Sequence, residues 1–243
     1  PAPELVELAA VLPAALRLGT SSWNYPGWKG LVWDREYPTA TLSLHGLPAY
    51  AKHPLFRAVC LDRGFYRPLG TEQFSAYAAQ APDGFRFMVK APGLVTDALL
   101  RDESGRGQRH NEGFLDPDMA LRSFVEPAVE GLGEKLGALI FQISPLSASL
   151  LAQMPDLIRR LHSLLRALPS LRTSAPDAVV AVEVRTPEWL TPRFVEVLGE
   201  TGATYCLGLH AKMPPITDQV PILRALWPGP LVCRWILNAR HGP

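Results

Sequence analysis

The sequence carries almost no surplus of charge: 24 Lys plus Arg stand against 23 Asp plus Glu. That balance excludes the global basic field that attracts nucleic acid or an anionic membrane, so any preference for anions has to be local. Cysteine is equally scarce. Cys60, Cys206 and Cys233 lie far apart, each in an apolar run, with no CxxC pair to suggest zinc or a redox dithiol. Buried thiols in a reducing compartment fit that pattern, and a cytoplasmic protein is expected. No apolar run reaches the roughly 18 residues that a membrane-spanning helix needs. The opening PAPELVELAAVLP also lacks the basic start of a signal peptide. The six histidines form no HxH or HExxH pattern, and no GxSxG elbow, Walker loop or GxGxxG fingerprint follows a strand. Neither a metal nor a cofactor is expected, and Ser22 and Ser144 have no visible base to activate them.

What the sequence does hold is apolar material, 47% of 243 residues, enough for one core in a single domain over 1–243. Runs suited to strands recur at 16–19, 56–61, 85–89, 138–143, 179–184, 204–209 and 231–236. Helical patterns separate most of them, at 71–80, 118–132, 187–200 and 217–227, with a short amphipathic segment at 4–12 inside an N-terminal extension, 1–15. The clearest helix spans 150–168, where Leu151, Met154, Leu157, Ile158, Leu161, Leu164 and Leu165 fall at three- and four-residue steps and leave Arg159, Arg160 and Arg166 in water. Strands that alternate with helices and read as continuous apolar runs predict a parallel sheet, and at this length a TIM-type (β/α) barrel. A full barrel has eight strands. Seven are visible, so the eighth unit is expected to be missing at the C-terminus, or else the sheet stays open. The polar, glycine-bearing segment 101–118 reads as a long loop, either a lid over the strand ends or plain disorder.

In such a barrel the ligand site lies at the carboxyl ends of the strands, and residues two apart on a strand share a face. That filter selects Lys90 on the third strand, Gln142 on the fourth, Glu183 with Arg185 on the fifth, His210 on the sixth and Arg234 on the seventh, with Asp62 beyond the second. Lys90, Arg185 and Arg234 against Glu183 and Asp62 make a local cationic bias, suited to phosphate or carboxylate. Glu183 either orients a cation or acts as general acid/base, and Lys90 either binds the anion or forms a Schiff base. A strand-end ion-pair network that only closes the barrel is the competing reading. The loop GTSSWNYPGWKG at 19–30 adds Trp23, Tyr25 and Trp28 as a stacking wall or as local packing, and Tyr66 is a similar case. Trp33, Trp189, Trp227 and Trp235 are expected to fill space.

Five ordered segments, GTSSWNYPGWKG, FYRP at 65–68, FMVKAP at 87–92, KLGALIFQISP at 135–145 and VEVRTPEW at 182–189, together resemble the YecE-like family, domain of unknown function 72. The resemblance covers roughly 16–234 and implies a TIM-type barrel without implying a reaction. Carried over by position, its pocket comprises Trp23, Tyr25, Trp28, Tyr66, Lys90, Gln142, Glu183, Arg185 and Trp189. The chain departs from the pattern at the second strand, where Cys60 and Asp62 stand for an acidic residue and an asparagine, and at Ser144, which stands for a proline. If the missing acid does the family's chemistry, this chain has altered or lost it. Three functions follow: a metal-independent enzyme or binder acting on a small anionic or sugar-like ligand; a single-stranded nucleic-acid binder, possible but not favoured by the charge balance; and a non-catalytic sensor or scaffold. Oligomeric state is left open.

Overall fold

Runs such as FRAVCL and VVAVEV, rich in β-branched and aromatic residues, favour a pleated surface covered on both sides. In a computed structural model, which describes residues 2–101, 107–209 and 213–235, they form strands. The strands are β1 (Leu18–Thr20), β2 (Phe56–Leu61), β3 (Arg86–Lys90), β4 (Leu99–Arg101), β5 (Gly107–His110), β6 (Leu136–Ile143), β7 (Val179–Val184), β8 (Thr204–Leu209) and β9 (Val232–Trp235). Seven of them make one parallel sheet in the order β1-β2-β3-β6-β7-β8-β9. Because the order never reverses, every right-handed crossover lays its helix on the same face, and the sheet curls into a half-barrel rather than a doubly wound layer.

Alternation along the strands divides the core. Val59, Leu61, Phe87, Val89, Leu139, Phe141, Val182, Val184 and Tyr205 join the large cluster under the helices. The opposite parity, Ala138, Ile140, Ala181, Cys206 and Val232 with Met88 and Val179, forms a small inner cluster. The parity that carries these inner residues is the one that carries Lys90, Gln142, Glu183 and Arg234 to the strand ends. At the other ends, Asp177 ties Arg17 and Arg86 at 2.8 and 2.7 Å.

The helices follow their patterns except where proline intervenes. The stripe at 150–168 splits into Ala148–Leu151 and Met154–Ala167, because Pro155 has no N–H for a helix interior and sits in the first turn instead. Its buried face is Leu157, Ile158, Leu161, Leu164 and Leu165, worth about 1.5–3 kcal/mol of transfer free energy each. The pattern at 187–200 likewise begins with a 3-10 turn, Pro187–Trp189. Its helix starts only at Pro192, where the Thr191 hydroxyl accepts from the Phe194 N–H at 3.2 Å. The segment 118–132 carries a π turn, Leu121–Val125, just before Pro127, whose ring crowds the preceding turn.

The long polar loop is corrected in part. β5 pairs antiparallel with β4, and a helix, Pro117–Ala120, follows, while 102–106 lie outside the described residues. Asn111 braces the turn between them by donating to the Leu94 and Asp97 carbonyls at 2.8 and 2.7 Å. Among the described residues no helix is long and apolar enough to cross a membrane.

Candidate functional site

Pairing register builds the site. Gln142 lies opposite Glu183 across β6 and β7, and Arg234 lies opposite Gly208 across β8 and β9, so these side chains emerge near the carboxyl ends of their strands. Glu183 is 2% exposed and is divided between two cations: Oε1 lies 2.8 Å from Arg185 and Oε2 2.7 Å from Arg234. Gln142 Oε1 accepts from both guanidiniums, at 2.9 and 3.0 Å. Asp62 accepts from Arg234 with both oxygens, at 3.3 and 3.2 Å, and from the Cys60 thiol at 3.1 Å. Asp62 thus supplies the mouth with its second carboxylate.

Lys90 stands apart from this network. Its ammonium sits over the Phe65 ring, 4.0 Å from the centroid, and among the described residues it makes no hydrogen bond or ion pair. Burial pulls its proton affinity below the ordinary lysine value; Asp62 and Glu183 oppose that, and Arg234 and Arg185 reinforce it. Burial likewise works against a charged Arg234, but the carboxylates of Glu183 and Asp62 outweigh it and hold the guanidinium charged. Burial, then Asp62, pushes the Cys60 thiol up, and burial, then Glu183, does the same to Cys206. Neither sulfur is a thiolate near neutral pH. Arg185 keeps one buried group, its Nε–H, without a partner among the described residues.

The aromatic residues are placed differently from the cationic ones. Trp23, 5% exposed, donates Nε1–H to the Leu42 carbonyl at 3.1 Å and meets Tyr77 edge-on. Trp28 stacks on Tyr50, and Tyr25 packs edge-on against Trp28 while folding over Gly27, where a Cβ would lie 2.5 Å from the ring. Trp23 and Trp28 pack into the loop and its helices, while Tyr25 stays 46% exposed beside Trp28. Trp189 is corrected as a pocket residue: the turn at Pro187 carries it into the core, fully buried against Phe194. Tyr66, 84% exposed, remains at the rim, edge-on to Phe65. Trp33 is buried as expected, whereas Trp227 and Trp235 are exposed and do not fill space; Trp235 ends β9, the last strand of the order, with a neighbour on one side only. His210 lies outside the described residues.

Two further residues organise the mouth. Phe65 is the platform for Lys90. Gln219, fully buried, locks the end of β8: Nε2 donates to the Gly208 and Pro214 carbonyls at 2.9 and 2.6 Å, and Oε1 accepts from the Gly208 N–H at 3.0 Å and the Tyr205 hydroxyl at 3.1 Å. Its sequence signal is a polar residue in the apolar phase of the helix Ile216–Ala225. Cavities of about 190 Å³, beside Pro117 and Arg160, and about 110 Å³, beside Ser144 and Ser147, share no residue with the cluster. Among the described residues no group of three or more His, Cys, Asp or Glu has the arrangement of a metal site.

A family model described as "Protein of unknown function DUF72" matches residues 17–237. The chain belongs to the DUF72 family. No curated protein matches it. Among solved structures it is similar to a DUF72 family protein from Enterococcus faecalis, with 19% identity and a TM-score of 0.51, over 82% of this chain and 64% of that one. It is similar also to a DUF72 family protein from Thermotoga maritima, with 22% identity and a TM-score of 0.50, over 81% of this chain and 65% of that one. The chain therefore spans just under two thirds of the length of these DUF72 structures, and at such identities the likeness concerns the fold.

Proposed function

We propose that this DUF72 protein is a metal-independent enzyme or binder that takes a small anionic ligand, phosphate- or carboxylate-bearing, or a sugar-like one, at the C-terminal mouth of its half-barrel. One observation carries the reading: after Glu183 and Asp62 have been matched to Arg185 and Arg234, the ammonium of Lys90 is left at the strand ends without a salt bridge of its own among the described residues, and the local balance stays one positive charge in excess. An anion balances it. Lys90 acts as a point charge, and Arg185 adds the Nε–H that has no protein partner. Excess positive charge also disfavours a divalent cation at the same place. Glu183 serves chiefly to orient the two arginines, since any proton transfer through it competes with two charge-assisted bonds.

A single-stranded nucleic acid is the alternative, and the exposed Tyr66 between Arg63 and Arg67 favours it locally. Thermal unfolding with inorganic phosphate, a sugar phosphate, pyruvate or an oligothymidylate separates the readings. A ligand at about 100 times its Kd stabilises by about 2.7 kcal/mol, or about 5–11 °C for a domain of this size. The small anions are expected to give that shift and Lys90→Met to abolish it. A response that survives in Lys90→Met, or one given by the oligonucleotide alone and falling steeply with salt, rejects the small-anion site.

A further inference from the structure

We infer that Lys90 is a carbonyl-trapping amine, and that the ligand of the mouth is a small carbonyl compound bearing a carboxylate or phosphate, such as a 2-oxo acid or a keto-sugar phosphate. The inference rests on the anion-binding reading above and names its substrate class. Among the described residues the network at the strand ends has three cations, Lys90, Arg185 and Arg234, and two carboxylates, Asp62 and Glu183. Of the three, only the lysine can give up its charge, because a guanidinium stays protonated at any working pH. Both carboxylates are already committed, Glu183 to two arginines and Asp62 to Arg234 and the Cys60 thiol. The Phe65 face returns part of the hydration that Lys90 loses, but less than a carboxylate would. Burial together with the guanidiniums prevails, and the amine sheds its proton more readily than an exposed lysine.

The other described lysines lack this setting. Lys29 and Lys52 are exposed, and Lys135 donates to the Ala78 and Ala81 carbonyls at 2.9 and 2.7 Å. Rival nucleophiles are weak, since the thiols of Cys60 and Cys206 are held protonated by burial.

The step balances without an oxidant. The Nζ lone pair attacks the carbonyl carbon, the C=O pair moves to oxygen, and that oxygen gains through solvent the proton that the nitrogen releases, so that a neutral carbinolamine forms. One proton from solvent then lets the oxygen leave as water, pushed out by the nitrogen lone pair, and a protonated imine remains. The imine restores the positive charge at Lys90, next to the carboxylates that favour it, while the ligand's anionic group lies toward the Arg185 Nε–H.

The whole chain is incubated with pyruvate or dihydroxyacetone phosphate and cyanoborohydride, which fixes an imine as a secondary amine, and the adduct is located by peptide mass mapping among the five lysines. Lys90 is expected to react faster than Lys29 and Lys52 at pH 7, because burial lowers its proton affinity. Its rate should also reach half-maximum at lower pH than theirs. Lys90→Arg, which keeps the charge, should bind phosphate yet give no adduct in the mouth. Labelling of Lys90 no faster than Lys29 overturns the inference. If phosphate still stabilises the protein in that case, the anion site stands without it. Should uncharged acetone label Lys90 as fast as pyruvate, with no competition from phosphate, the amine stands and the anion site falls.

Discussion

Glu183→Gln tests the electrostatic core of the mouth. The carboxylate is 2% exposed and holds two guanidiniums, at 2.8 and 2.7 Å, whose side chains are themselves only 13% and 12% exposed. Glutamine keeps the shape but removes the charge, and it must turn a donor toward one of the two arginines. Breaking a buried pair by removing one partner costs about 3–5 kcal/mol, because the remaining charge stays buried and uncompensated. Arg234 retains Asp62 at 3.2 Å, which places the expected loss near the lower end, about 3 kcal/mol. For a domain of this length that lowers Tm by about 6–12 °C. Urea unfolding followed by circular dichroism gives the free energy directly, with calorimetry for Tm. Adding Arg185→Met to Glu183→Gln removes the second charge, so the double variant is expected to recover part of the loss. A Glu183→Gln protein within about 1 kcal/mol of the parent, or a double variant less stable than the single, refutes the view that this pair is held by buried charge.

Two further outcomes follow from packing and burial. At Gly131, between the helices Thr71–Ala78 and Glu126–Leu132, an added Cβ would lie 2.5 Å from both the Phe74 Cβ and the Thr71 carbonyl, so Gly131→Ala should cost about 1–3 kcal/mol. Gly199→Ala, inside a helix with its nearest neighbour 4.0 Å away, should instead gain about 0.5–1 kcal/mol, and equal Tm shifts of one sign would sink the contrast. Cys60 and Cys206 should resist a thiol reagent at pH 8 in the native protein and react fully in urea; prompt native labelling of Cys60 would mean that the inner layer is open to solvent.

Much of the fold was legible because a parallel sheet covered on both faces leaves uninterrupted apolar runs. The expected strands at 56–61, 179–184 and 204–209 coincide with β2, β7 and β8. The β4–β5 pair was not, since GQRH has neither alternation nor β-branched residues, and its extended form depends on the backbone partner that Leu99–Arg101 offers. Helix boundaries failed at Pro155 and Pro192, where an apolar stripe runs through a residue that can begin a helix but not continue one.

At the site, parity along the strands was enough to bring Lys90, Gln142, Glu183 and Arg234 to one end, because a two-residue period leaves no other choice once the inner face is known. Aromatic residues carry no such constraint. A loop of tryptophans beside glycines reads the same whether its rings face a ligand or each other, and only the tertiary structure gives their protein partners, the Leu42 carbonyl for Trp23 and the Tyr50 ring for Trp28. The inequality of three cations and two carboxylates was visible in the residues themselves; which cation stays unmatched was not. Reach settles it. Arg234 spans both Glu183 and Asp62, and Arg185, just past the end of β7, folds back on Glu183. Lys90, on β3, is left with a ring instead of an acid. The chemistry open to this mouth therefore depends on the residue that the network excludes more than on those that it holds.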